Sequence, residues 1–568
     1  MKPSSAVLLL ALAPGAWSTN VVEFSVSRSL PGNHTPLTLS RLGRREAYSE
    51  RLINSIAGGG YYVQVQVGSP PQNLTMLLDT GSSDAWVLSH DADLCTSPDL
   101  QEFYGMTCID TYDPSKSSSK KMVKKDGFKI TYLDGGTASG DYITDHFTIG
   151  GVTIRSLQMA YVTKAVRGTG ILGLGFSVSE RASTKYPNLI DEMYNQGLIK
   201  SKAFSLYLND RRTDSGSILF GGIDTDKFIG PLGVLPLQKA PGSKVYSSFE
   251  VNFTSVSLVY TNDTRHIIPT AVLNHPAPAV LDSGTTLSYL PYELADPINA
   301  ALDTFYDDGL QMTLIDCFHP MLRTDPNFHL VFTFTPTTSI SVPLDDLILD
   351  ILPSSYHLSG SDNSNENADD DDDEEDDDDD DDDDDDEAPT ITTEKKKWCV
   401  FGIQSTARFA TSPGQSEVNF TLLGDTFLRS AYVVYDLSHY QIGLAQANLN
   451  SSSSSNTTST IVELSAADDD SASGRDESAG PTRTVISGGL PSGLMGVEAQ
   501  QTTFTPTATA NADPGFGGGE EGLYGSAGPD SEENAAAAAR RTGLLSEVVG
   551  VAAVTALFTL FGGALIAI

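Results

Sequence analysis

Two short stretches of this chain share one pattern. Residues 76–87 read MLLDTGSSDAWV and residues 279–291 read AVLDSGTTLSYLP, each an apolar run closed by Asp, then Thr or Ser, Gly, and a further hydroxyl residue. Each pattern sets a carboxylate, Asp79 or Asp282, at the end of a buried strand. The Gly that follows, Gly81 or Gly284, permits a tight turn in which hydroxyl and backbone N–H groups surround that carboxylate. Two carboxylates brought within about 3 Å cannot both ionise cheaply, so they hold one proton between them and act as base and acid together. Such a pair can draw a proton from water while hydrogen-bonding a carbonyl oxygen, which is hydrolysis without a covalent intermediate. One such triplet is a common turn. Two copies, each with the same preceding strand and following hydroxyls, point to two lobes that each offer one carboxylate to a shared cleft.

Other chemistries find no support. The nine histidines form no HExxH or other cluster, none lies at ligand spacing from the four cysteines, and no GxSxG is present, so neither a metal nor another cofactor is expected. The formal charge is −39; an uninterrupted acidic run at 369–387 holds 19 of those negatives and leaves −20 elsewhere. That balance disfavours nucleic-acid binding and favours basic peptides as partners. The run itself reads as a solvated, self-repelling loop, without the glycine-punctuated ligands of a calcium site.

The elements that must position the two carboxylates are strands. From Tyr61 the sequence YYVQVQVGSPPQNLTMLLDTG alternates apolar and polar residues, breaks at Gly-Ser-Pro-Pro, and resumes as an apolar run. Similar strands, separated by Gly, Pro, Asn and Asp turns, continue to Ala447, which predicts a mainly β body over 46–447. Before it, residues 1–19 read as a signal peptide, and 20–45 as a propeptide closed by the basic pair Arg44-Arg45. After it, 448–545 reads as a disordered Ser/Thr/Gly-rich stalk, and 546–568 as a hydrophobic tail. Small residues, a polar spacer and that tail match a lipid-anchor signal, with attachment at Asn534 or at the neighbouring Ser526 or Gly528; the alternative is a retained single span.

In a secretory compartment the sequons at Asn33, Asn73, Asn252, Asn262, Asn419, Asn450 and Asn456 are open to glycosylation. Cys95, Cys108, Cys317 and Cys399 suggest two disulfides, which allows three connectivities. The close pair Cys95 and Cys108 is favoured, leaving Cys317 with Cys399.

With these residues in place, the stretch 61–447 resembles the pepsin-like aspartic proteases. YYVQVQVGSPPQ resembles the strand and turn that open the mature family fold, and KITYLDGGTASGDY at 129–142 resembles the family's flap hairpin. The resemblance implies a bilobal acid-protease fold with two six-stranded-type β lobes, an N-lobe at 58–235, a C-lobe at 236–447 and a central cleft, working as a monomer. It implies Asp79 and Asp282 as the catalytic pair, Tyr132 as the flap tyrosine and Trp86 as the cleft tryptophan, with Gly81, Gly284 and Asp134 beside substrate. Ser82 and Thr285 then hydrogen-bond the outer carboxylate oxygens, and Thr80 and Ser283 clasp across the lobe boundary. GILGLGF at 170–176 and LLGDTFLRSAYVVYDLSHYQIGLA at 422–445 resemble the segments that run behind each catalytic loop.

Leu133 and Gly136 depart from pepsin's flap, where Gly and a hydroxyl residue stand. The insert between Cys95 and Cys108 and the acidic insert at 360–395 are also unlike pepsin. With the dibasic site, stalk and anchor signal, they bring the chain nearer to the fungal yapsin-like, surface-anchored branch. That branch implies location on the outer face of the plasma membrane or in the cell wall, and cleavage beside basic residues. The alternative reading is a non-catalytic cell-surface binding or adhesion glycoprotein on the same fold.

Overall fold

The computed structural model describes residues 21–27, 60–104, 106–132, 135–210, 215–260, 263–266, 271–324, 328–352, 397–409, 420–449, 461–465 and 484–498. The expectations for the signal peptide, Arg44-Arg45, Leu133, Asp134, the acidic run, Asn33, Asn262, Asn419, Asn450, Asn456, Asn534, Ser526, Gly528 and the 546–568 tail lie outside those residues. Of the sequons, Asn73 and Asn252 are described, both on strands with exposed side chains.

Alternation at Tyr62–Val67 places Val63, Val65 and Val67 in the core and Gln64 and Gln66 outside. The chain turns and returns as Gln72–Asp79, paired antiparallel from Tyr62↔Leu77 to Val67↔Gln72. This second strand is buried from Leu74 onward because its other edge is also occupied. Gly170–Gly173 runs parallel to it, Met76 opposite Gly170 and Asp79 opposite Gly173. A strand covered on every side reads as a continuous apolar run rather than an alternating one. Gly170–Gly173 pairs in turn, antiparallel, with Ala85–Leu88, so the two strands flanking the Asp79 loop embrace a third from farther along the chain.

The second half repeats this plan. Ala271–Leu281 runs parallel to Thr421–Leu423, and Ser288–Leu290 pairs antiparallel with the same strand through Tyr289↔Leu422. The repeated Asp motif is therefore a repeated topology. A 13-stranded sheet carries the first half and an eight-stranded sheet the second, with smaller sheets of four and three strands beside them. The fold is the mainly β architecture expected, but the lobe boundary is not a sheet boundary. The large sheet passes from Tyr62–Val67 through Val22–Ser27, Ser215–Phe220 and Ala203–Tyr207 to Ala431–Asp436 and Gln441–Ala447, from late in the chain.

The described cysteines pair as Cys95–Cys108 and Cys317–Cys399. The stretch that resembles the flap forms the hairpin of Lys121–Thr131 and Thr137–Ile149, in register at Thr131↔Thr137 and closed by Tyr132 N–H donating to Gly136 O at 2.8 Å.

Both flanks of the body contribute strands to it. Val22–Ser27, inside the segment read as propeptide, pairs over six residues with Ser215–Phe220, and Val22 and Val26 enter the core. The segment read as stalk also returns to the body. Ile461–Ser465 pairs with Gly222–Asp224, Thr484–Ser487 lies parallel to it, and Val462, Leu464 and Leu490 pack with Phe228, Tyr432 and Val434. The folded region thus extends past Ala447. Two apolar residues alternating at Val462 and Leu464 suffice when an open strand edge and an apolar patch are already waiting for them. Among the described residues no helix is long and apolar enough to cross a membrane.

Candidate active site

The two Asp loops meet back to back. Thr80 Oγ1 donates to Leu281 O at 2.9 Å and accepts from Ser283 N–H at 3.0 Å. Ser283 Oγ donates to Leu78 O at 3.0 Å and accepts from Thr80 N–H at 3.3 Å. These four reciprocal bonds lock the loops at the lobe boundary, where Thr80 and Ser283 are buried. Behind each loop stands a glycine that cannot be larger. A Cβ on Gly173 would lie 2.7 Å from Asp84 O, and one on Gly424 would lie 2.3 Å from Leu287 O.

Held this way, the carboxylates converge. A Cβ on Gly284 would stand 2.3 Å from Asp79 Oδ1 and 3.2 Å from Asp282 Oδ1, so both inner oxygens face the same point. Their surroundings match in pairs. Gly81 N–H donates to Asp79 Oδ1 at 2.8 Å and Gly284 N–H to Asp282 Oδ1 at 2.9 Å. Ser82 Oγ donates to Asp79 Oδ2 at 2.5 Å and Thr285 Oγ1 to Asp282 Oδ2 at 2.6 Å.

Asp79 is 3% exposed and Asp282 0%, and burial pushes both carboxyls above the usual range. For Asp282 the charge of Asp79 adds to that rise. The hydrogen bond between the two lowers Asp79 and raises Asp282, and the Arg167 charge also lowers Asp79. Both carboxyls are therefore biased towards the protonated form, and the pair holds one proton between them.

One consequence concerns Ser82→Ala. Its hydroxyl is the largest influence holding Asp79 down against burial, so its loss raises Asp79 further. A reaction that needs Asp79 ionised then loses its acid side: the acidic limb of kcat/KM against pH moves to higher pH, with the other limb held by Asp282. An unmoved acidic limb in that profile would contradict this role.

Tyr132 and Trp86 also meet. The Trp86 indole N–H donates to Tyr132 Oη at 2.7 Å. Trp86 is 0% exposed, so it reaches the cleft through the tyrosine it orients rather than by its own surface.

Sequence reasoning passed over two groups. Asp84 is buried and accepts at Oδ1 from the hydroxyls of Tyr142 and Tyr186, each at 2.8 Å, and at Oδ2 from Arg181 N–H at 2.7 Å. It ties the flap's base to the Asp79 loop. The Arg167 guanidinium carbon lies 5.2 Å from the centroid of the Tyr132 ring.

Comparison with known proteins agrees with this geometry. Residues 60–358 and 388–447 match the family model described as eukaryotic aspartyl protease. The chain is 33% identical over 456 residues to "Probable aspartic-type endopeptidase opsB" of Aspergillus oryzae, covering 79% of this chain and 80% of that protein. It is 34% identical over 438 residues to the protein of the same name in Aspergillus fumigatus, covering 76% and 77%. To "Secreted aspartic protease 8" of Candida albicans it is 31% identical over 415 residues, covering 72% and 80%. Since the matched stretch takes in both Asp loops, the flap and the two supporting strands, the chain belongs to the eukaryotic aspartyl protease family and is an aspartic-type endopeptidase.

Proposed function

We propose that the protein is a secreted, surface-anchored endopeptidase in which Asp79 is the base and Asp282 the acid. The observation that carries this is the convergence of both inner carboxylate oxygens on one point, each backed by a glycine N–H and each with its outer oxygen held by a hydroxyl. A water between the carboxylates gives its proton to Asp79 and attacks the peptide carbonyl carbon. Asp282, protonated, hydrogen-bonds the carbonyl oxygen as it becomes tetrahedral, and a proton passes to the leaving amine as the C–N bond breaks. Tyr132, steadied by Trp86, closes over the peptide and excludes bulk water.

The finer parts of the reading rest on sequence. A relative named as secreted, the leader at 1–19 and the tail at 546–568 support passage to the cell surface and a lipid anchor. Release of activity from intact cells by a phosphatidylinositol-specific phospholipase is the expected result; activity that stays with the membrane would instead mean a retained span. The charge of −20 outside the acidic run steers basic substrates towards this surface. Which residue stands at the cut is decided by charges lining the cleft.

The direct test is incubation of the ectodomain with a diverse peptide mixture from about pH 3 to pH 7, with and without a statine-type inhibitor, reading cut bonds by mass spectrometry. No inhibitor-sensitive cleavage anywhere in that range would leave the non-catalytic binding protein as the better account.

A further inference from the structure

Asp84 and Trp86 stand two residues apart where the chain enters Ala85–Leu88, and both side chains turn towards the hairpin that resembles the flap. They meet it at different heights. Trp86 holds the tip, where its indole N–H donates to Tyr132 Oη at 2.7 Å. Asp84 holds the root. Its Oδ1 accepts from the Tyr142 hydroxyl at 2.8 Å, and the Tyr142 ring stands edge-on to Phe128 of the facing strand, with centroids 5.7 Å apart. From Phe128↔Gly140 to Thr131↔Thr137 the hairpin rises three residues, about 10 Å. A tilt at the root is therefore carried to Tyr132 at the tip.

The same carboxyl gathers a third part of the chain. The Tyr186 hydroxyl donates to Asp84 Oδ1 at 2.8 Å and Arg181 N–H to Oδ2 at 2.7 Å. Tyr186 N–H donates in turn to Glu180 Oε2 at 2.9 Å, and the Tyr186 ring stands edge-on to Tyr142, with centroids 5.6 Å apart. Ala182 and Tyr186 pack in one apolar cluster with Trp86, Phe128, Ile130 and Tyr132, so residues 180–186 brace the hairpin as well as the strand. Asp84 is 1% exposed, and bulk water cannot take the place of any partner it loses.

We propose that Asp84 is a positioning residue for peptide hydrolysis: by fixing the root of the hairpin it sets where Tyr132 meets Trp86 and covers the substrate. This rests on the peptidase reading above and deepens it, since the carboxyl acts through the hairpin and not on the scissile bond. Asparagine in its place turns an amide NH₂ towards either the two hydroxyls or the Arg181 N–H, so the three donors no longer all find an acceptor. The tip then shifts against the substrate, and kcat/KM is expected to fall about tenfold or more.

The test compares kcat and KM of wild type, Asp84→Asn, Tyr132→Phe and the double variant on one peptide that wild type cuts, at a temperature well below the melting of each. Tyr132→Phe keeps the ring and removes only the hydroxyl that Trp86 meets. Its cost is expected to be smaller by about threefold or more in the Asp84→Asn background than in wild type, because both losses pass through the same contact. Losses that multiply independently would overturn the proposal. So would Tyr132→Phe with wild-type activity, or an Asp84→Asn that melts earlier but keeps wild-type kcat/KM, since the carboxyl then serves the core alone. If Asp84→Asn does not fold, Tyr142→Phe takes its place in the cycle; it removes the root bond while keeping the ring, and the same outcomes decide. A wild type that cuts no peptide from a diverse mixture would instead remove the peptidase reading itself.

Discussion

Asp79→Asn and Asp282→Asn should each lower peptide hydrolysis at acid pH by on the order of 10⁴-fold or more, with no loss of thermal stability. Asparagine keeps the shape of the side chain and can keep the bond from the glycine N–H, but it can neither take a proton from water nor pass one on. The two losses should not add in the double variant, because each breaks the same shared-proton unit. The stability half of the expectation comes from linkage. Burial raises both carboxyls, so the native state binds their proton more tightly than the unfolded chain does. Their contribution to stability is therefore full below the ordinary carboxylate range and is lost as pH rises through the raised native values. Asp282→Asn does not titrate, and its melting temperature should equal wild type near pH 4 and exceed it near pH 7. Calorimetry beside kcat/KM separates the readings: a pair kept for structure alone would give variants that melt earlier, and a binding protein would show no catalytic loss.

The dyad was legible because its information is local and doubled. Strand, Asp, hydroxyl residue and Gly lie within a few positions of one another, and the same order occurs twice, so chance turns are a poor explanation of both. Asp84 shows what happens when the doubling fails. It sits five residues after Asp79, inside the motif, but the matching place after Asp282 is Leu287, so nothing in the repeat marks it out. Its role appears only when Tyr142 arrives from the strand Thr137–Ile149 and Tyr186 from the loop before the helix Leu189–Asn195. Arg167 carries no local signal at all. A cation in a Gly-rich turn gains meaning only from the flap folding over it. The strands at Val22–Ser27 and Ile461–Ser465 were hidden for another reason: each is short, set in polar sequence, and stable only against edges and apolar patches supplied by the rest of the body.

Removing the C-terminal strands has a large effect of its own. A chain ending after Asn448, where the sequence pattern of alternating strands stops, should fold poorly or melt about 10 °C or more below one ending after Glu498. Val462, Leu464 and Leu490 are 2%, 3% and 8% exposed, and burying each such side chain stabilises by about 1.5 to 3 kcal/mol. Their loss also bares Phe228, Leu232, Tyr432 and Val434 and leaves the edge of Gly222–Asp224 unpaired, against a total stability of roughly 5 to 15 kcal/mol. The damage would not stay at the periphery. Ala431–Asp436 turns Tyr432 and Val434 towards this segment and Val433 and Tyr435 towards the central core. There the Tyr435 hydroxyl donates at 3.5 Å to Leu281 O, the carbonyl that also receives Thr80 Oγ1, beneath the Asp282 loop. Loosening one face of that strand loosens the floor on which the two carboxylates are aligned, so specific activity should fall together with melting temperature. Scanning fluorimetry and active-site titration of the two truncated chains measure both quantities; equal melting temperatures would mean that the segment merely rests on the body it covers.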